Sequence, residues 1–155
     1  MPRLRQYGAV FFVLLGLLAG CVSRTNPVLY YHPEFTKQDP ISLLEKVREI
    51  ERQDFDNIHL ETLAQNRLSS HHLVIIRKGE ALHYHAEHDG WAIVLKGKGE
   101  FLLGERKFEI HPGSTVYIPR GVRHKAARQG KDAIAAFVIF TPPYDGKDTI
   151  PVAEK

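Results

Sequence analysis

From about residue 57 onward the chain is a succession of short apolar, β-branched runs, each closed by glycine or proline. HLVIIR, ALHYH, WAIVLK, GEFLLG, KFEI, STVYIP, VRHKA and AIAAFVIFT follow one another. Between them stand Lys78-Gly79, Gly97 and Gly99, Gly104-Glu105, Pro112-Gly113, Pro119-Arg120-Gly121 and Gln129-Gly130. Runs this short cannot alternate with the helices that a doubly wound sheet requires, so the pattern predicts an all-β sandwich or closed barrel. A length of 155 residues favours one domain, and 43% hydrophobic content is enough for one core. The last run, Ala133–Phe140, is apolar on both faces. It is either buried on both sides or offers a surface to a partner, a second copy included.

Within these runs the histidines are not scattered. His83 and His85 are two apart, so on a strand both imidazoles share a face. Neutral imidazole is a ligand for first-row divalent metals. Gly113, Pro119, Gly121 and His124 form G-x5-P-x-G-x2-H. Pro112-Gly113 suits the centre of a type II turn, and Pro119-Arg120-Gly121 makes a second turn that leads into VRHKA and aims His124 at the first pair. His32, His59, His71, His72 and His111 read as structural or surface residues, and Trp91, in phase with Ile93 and Leu95, reads as core.

His83-x-His85, Gly97 and the second motif together resemble the two motifs of the cupin superfamily, over about residues 70–141. The resemblance implies a cupin-type jelly-roll barrel (double-stranded β-helix), one divalent transition metal (Fe, Mn, Ni, Cu or Zn) inside it, a small-molecule ligand or substrate, and frequent homodimers. The second motif matches through His124, while the asparagine that closes the family pattern would fall at Arg128. The first motif departs where the family has a glutamate ligand: counted back from Gly97, that position is Gly90. Three readings are open. His83, His85 and His124 form a three-histidine site completed by water; Asp89 serves as a fourth ligand; or the barrel has lost its metal. Strand parity sets Asp89 and Gly90 on opposite faces, which counts against the second. Glu87 and His88 are further candidates on the same loop.

Upstream, Asp39-Pro40 resembles a helix start, and Ile41, Leu44, Val47 and Ile50 form an apolar stripe, predicting a helix over about 40–53. Residues 21–39 read as a tether, although Tyr30, Tyr31 and Phe35 are apolar for one and suit the barrel wall. Residues 40–155 then make the cupin domain with its N-terminal helix. The proline- and glycine-rich segment after Thr141 is expected to wrap the surface.

Residues 1–20 read as a signal: Arg3 and Arg5, the apolar run Ala9–Ala19, then small residues. Leu18-Ala19-Gly20-Cys21 resembles the lipobox of bacterial lipoproteins, and Cys21 is the chain's one cysteine. The resemblance implies lipidation of Cys21, membrane attachment through the acyl chains, and a cell-envelope address. With Val22 next, it implies the outer membrane facing the periplasm in a Gram-negative host. The formal charge of +3 contains no dense basic block, so nucleic acid is not an expected partner.

Two function classes fit. One is a metal-dependent enzyme of dioxygenase or isomerase type, with Tyr117, Asp89 or Glu87 as guesses for a base and no assigned catalytic residue. The other is a non-catalytic module that binds a small ligand or metal. Arg120, Arg123 and Lys125 lie close to His124 in sequence, where they would either receive an anion or form a solvated rim.

Overall fold

Alternation along each strand sorts the barrel into inside and outside. In β6 (Asp89–Lys96), Ala92 and Val94 are buried inward, whereas Trp91 and Ile93 are exposed. Trp91 is therefore not core: it is 51% exposed and packs against Tyr117 on the outer face, ring centroids 5.0 Å apart. The computed structural model describes residues 28–33 and 39–153. The signal, most of the tether and Cys21 lie outside the described residues.

Two five-stranded antiparallel sheets face each other in a jelly roll. One runs β3 (Ile58–Gln65), β4 (Ser70–Ile76), β11 (Ile134–Thr141), β6 and β9 (Thr115–Ile118). The other runs β12 (Ile150–Pro151), β5 (His83–Tyr84), β10 (His124–Gln129), β7 (Lys98–Leu103) and β8 (Arg106–Ile110). Val94, Phe101, Ile110, Val116, Ile134, Val138 and Phe140 belong to the core between them.

A second core lies outside the first sheet. Leu43, Val47 and Ile50 of α1 (Leu43–Glu51) pack on Leu73 and Ile75 of β4 and Ala135 of β11. This accounts for the two-sided apolarity of β11: one face fills the barrel and the other lies under the helix. The helix begins later than Asp39-Pro40 suggests. Ile41–Ser42 first pair as β2 with β1 (Leu29–Tyr30), and the Ser42 hydroxyl then caps the helix by accepting from the Glu45 N–H at 3.4 Å. The described part of the tether thus has structure of its own, with Tyr30 buried in this second core. Tyr31, by contrast, is exposed. At the other end of α1, Arg77 donates to the carbonyls of Glu51 (3.2 Å), Gln53 (2.9 Å) and Phe55, and stacks on the Phe55 ring.

Gly97 shows why its position admits only glycine. Its φ is +82°, and a Cβ there would stand 2.3 Å from the Ala133 carbonyl oxygen.

Candidate metal centre

The register of β5 and β10 makes the site. His83 and His124 are direct partners across the two strands, and His85 follows two residues after His83 on the same face. Their ring centroids are 4.3 Å (His83–His124), 5.2 Å (His83–His85) and 5.2 Å (His85–His124) apart. One ligand atom from each lies within 4.8 Å of the others. All three are buried. The turn before β10 ties the two motifs together, since the Gly121 N–H donates to the His85 carbonyl at 2.6 Å.

Each imidazole is oriented by a main-chain carbonyl. Nδ1 of His83 meets the Ala81 oxygen at 2.8 Å, Nδ1 of His124 meets that of Val122 at 2.9 Å, and Nδ1 of His85 meets that of Asp148. A carbonyl only accepts, so each Nδ1 carries a proton and Nε2 is the atom that each ring has to offer a cation. Carbonyl-held imidazoles of this kind are the usual support of metal-ligating histidines. Burial pushes the His124 imidazole down to about 4 and lowers His85 as well, which keeps both unprotonated and able to bind a cation.

The rings look into an apolar cavity of about 80 Å³ whose walls include Val74, Val94, Phe101, Val138 and Phe140. It adjoins a mouth of about 230 Å³ lined by Ile58, Leu60, Tyr144, Thr149 and Pro151. Val74, Glu80, His83, His85 and Phe140 border both.

Asp89 is not brought to this group. It faces outward and forms an ion pair with Arg120 at 2.7 Å, which holds its carboxyl below the usual range. Gly90 is the residue that faces inward. A Cβ there would lie 3.4 Å from the Phe140 ring and 3.6 Å from Ile118, so apolar atoms surround the place from which an acidic side chain would extend. Tyr117 lies on the outer face, and Glu87 borders a surface hollow. Arg120 is engaged by Asp89, Arg123 by Glu105, and Lys125 borders an outer groove. Among the described residues, no lysine or arginine lines the cavity or its mouth.

Residues that sequence reasoning missed support the site from a distance. The segment after Thr141 returns as β12, which pairs with β5 at Pro151–His83 and Ile150–Tyr84. Asp148 accepts from the Ala86 and Glu87 N–H groups, both at 2.9 Å, and pairs with His88 Nδ1 at 2.6 Å. Burial would raise its carboxyl, but His88 and those two N–H groups outweigh it and hold Asp148 at about 2. Tyr144 and Phe140 pack on His85. His72 is buried behind those two rings, between Thr62 and Ser70, and burial lowers it to about 4. Glu80 borders the cavity three residues before His83, and burial pushes its carboxyl up. No local pattern marks Asp148. A signal for Glu80, an acid directly after the Lys78-Gly79 turn, was present in the sequence.

Comparison with known proteins gives a family and a fold. The family described as Cupin domain matches residues 72–140. An uncharacterised protein of Aquifex aeolicus is 43% identical over 83 residues, which is 54% of this chain and 68% of that one. Among solved structures, KdgF from Halomonas is 25% identical, covers 60% of this chain and 86% of its own, and superposes with a TM-score of 0.54. Streptomyces PAC13, solved with uridine, is 15% identical over 65% of this chain and 82% of its own, with a TM-score of 0.54.

Proposed function

The chain belongs to the cupin family, and on that premise we propose that it is a lipid-anchored, metal-dependent cupin acting on a small molecule bound at the barrel mouth. One divalent transition metal would be held by His83, His85 and His124. When bound, the ion supplies Lewis-acid polarisation or oxygen activation. The protein's part is to orient the three Nε2 atoms, leave coordination positions open toward the mouth, and exclude bulk water with the apolar wall around Phe140. The observation that carries this reading is the set of three Nδ1–carbonyl bonds, which turn three imidazoles toward one cavity. PAC13, whose structure holds uridine, is an example of a small molecule carried on this fold.

Purified wild-type protein is expected to carry a stoichiometric divalent metal, and His124→Ala to lose it. A wild type without metal, even after reconstitution, would sink the proposal. A non-catalytic binding module is the second reading, favoured by the placement of Asp89, Glu87 and Tyr117 outside the cavity lining. Turnover of oxygen or of a small molecule by the metal-loaded protein separates the two.

The address rests on Leu18-Ala19-Gly20-Cys21. Acylation of Cys21 would place the barrel on the outer membrane facing the periplasm of a Gram-negative host. Labelled palmitate should enter the wild type and not Cys21→Ser.

A further inference from the structure

Among the described residues, Glu80 is the one acidic side chain lining either the cavity or its mouth. Its position is fixed from several sides. Asn57 holds the preceding turn by accepting from the Lys78 N–H at 2.8 Å and donating to the Gly79 carbonyl at 2.6 Å. The Glu80 N–H donates to the Ala126 carbonyl at 2.8 Å, and the Ala126 N–H donates to Oε2 of Glu80 at 2.8 Å. Ala126 follows His124 by two residues on β10, so it shares the inner face with that histidine. The carboxylate therefore lies one layer along the strand from His124.

A carboxylate beside apolar walls is costly unless a charge or donors answer it. The Ala126 N–H answers one carboxylate oxygen, but among the described residues no lysine or arginine lines either space. We infer that Glu80 is the anionic partner of a divalent cation on the histidine triad, accepting a hydrogen bond from a water or hydroxyl group carried by that ion. Among the described residues the group that converges within 4.8 Å is the three imidazoles, without Glu80, so the carboxylate acts through a bound group and not as a direct ligand. This defines a ligand class. An uncharged, hydroxyl-bearing small molecule satisfies both the ion and Glu80, whereas an anion at the open position is repelled by Glu80. The inference rests on the metal reading of the triad.

The test uses the cobalt(II)-loaded full chain, followed by its visible absorption and titrated with azide. Glu80→Gln keeps an oxygen that can accept from Ala126 and removes only the charge. In that variant cobalt affinity should fall about tenfold and azide affinity rise about tenfold, the scale of one nearby unit charge in a partly screened site. Unchanged values for both would overturn the inference while leaving the triad's metal reading intact. A wild type that takes up no cobalt would instead sink the metal reading itself. Glu80→Ala provides a second arm: added formate, a small carboxylate, should restore cobalt affinity, and no restoration would count against Glu80 as the anionic partner.

Discussion

The three histidines of the site are held by two different means. His83 and His124 are oriented by carbonyls two residues earlier in their own segments, Ala81 and Val122. His85 takes its carbonyl from Asp148, 63 positions away, on a segment that also clamps Ala86, Glu87 and His88. Two members of the triad are thus products of local turns and strand register, and the third depends on a long-range return of the chain. The difference implies that the site fails first on the His85 side.

Asp148→Ala puts the greatest load on that asymmetry. It removes the acceptor for two N–H groups and the partner of His88, and metal affinity should fall about 10–100-fold, as for other supporting groups around a metal. Equal losses on weakening the turn before His124, through Gly121→Ala for instance, would erase the distinction. Titration measured against a chelator of known affinity reads both.

Acid should reveal the same dependence on buried neutral rings. His124 and His72 stay unprotonated in the folded chain down to about 4, whereas an unfolded histidine takes its proton near 6.5. Between those values the unfolded state binds more protons, so stability falls as pH falls through the window and levels off above it. Denaturant midpoints of the metal-free protein across this range should show that slope; a flat profile would mean that the two rings titrate normally.

Gly90→Glu tests why the first motif lacks its acid. The side chain meets the Phe140 ring, and overpacking should cost about 1–3 kcal/mol. Paired with Phe140→Ala, which clears the space, the same glutamate should instead strengthen metal binding. Thermal melts and metal titration of the two variants separate crowding from coordination. The smallest effect is expected from Asp89→Asn. It breaks an exposed ion pair with Arg120 and should leave metal content unchanged and the melting temperature nearly so.

The parts of the molecule legible in the sequence are those written in consecutive residues. The short strands, the turns at Gly113 and Gly121 and the shared face of His83 and His85 follow from local stereochemistry and period-two alternation. Parity also separates Asp89 from Gly90. The same parity, applied to Trp91, does not say which face is inside; that depends on the opposing sheet, and the exposed face proves to be the one carrying Trp91, Ile93 and Tyr117. The helix starts at Leu43 and not at Pro40 because Ser42-x-x-Glu45 competes with Asp39-Pro40, and pairing of β1 with β2 takes Ile41 and Ser42 out of the helix. Asp148 and Phe140 do not show as site residues in the sequence because their roles exist only once distant strands meet; Glu80, directly after the Lys78-Gly79 turn, has a local signal but gains its place by the cavity only from β10.

The return of β12 to β5 also makes the centre depend on a segment far along the chain. His83, His85 and His124 can stand in register on β5 and β10 while the carbonyl that orients the middle ring belongs to Asp148. An ion held with that segment undocked would meet two oriented imidazoles and one free to rotate, so docking of β12 should slow the release of metal.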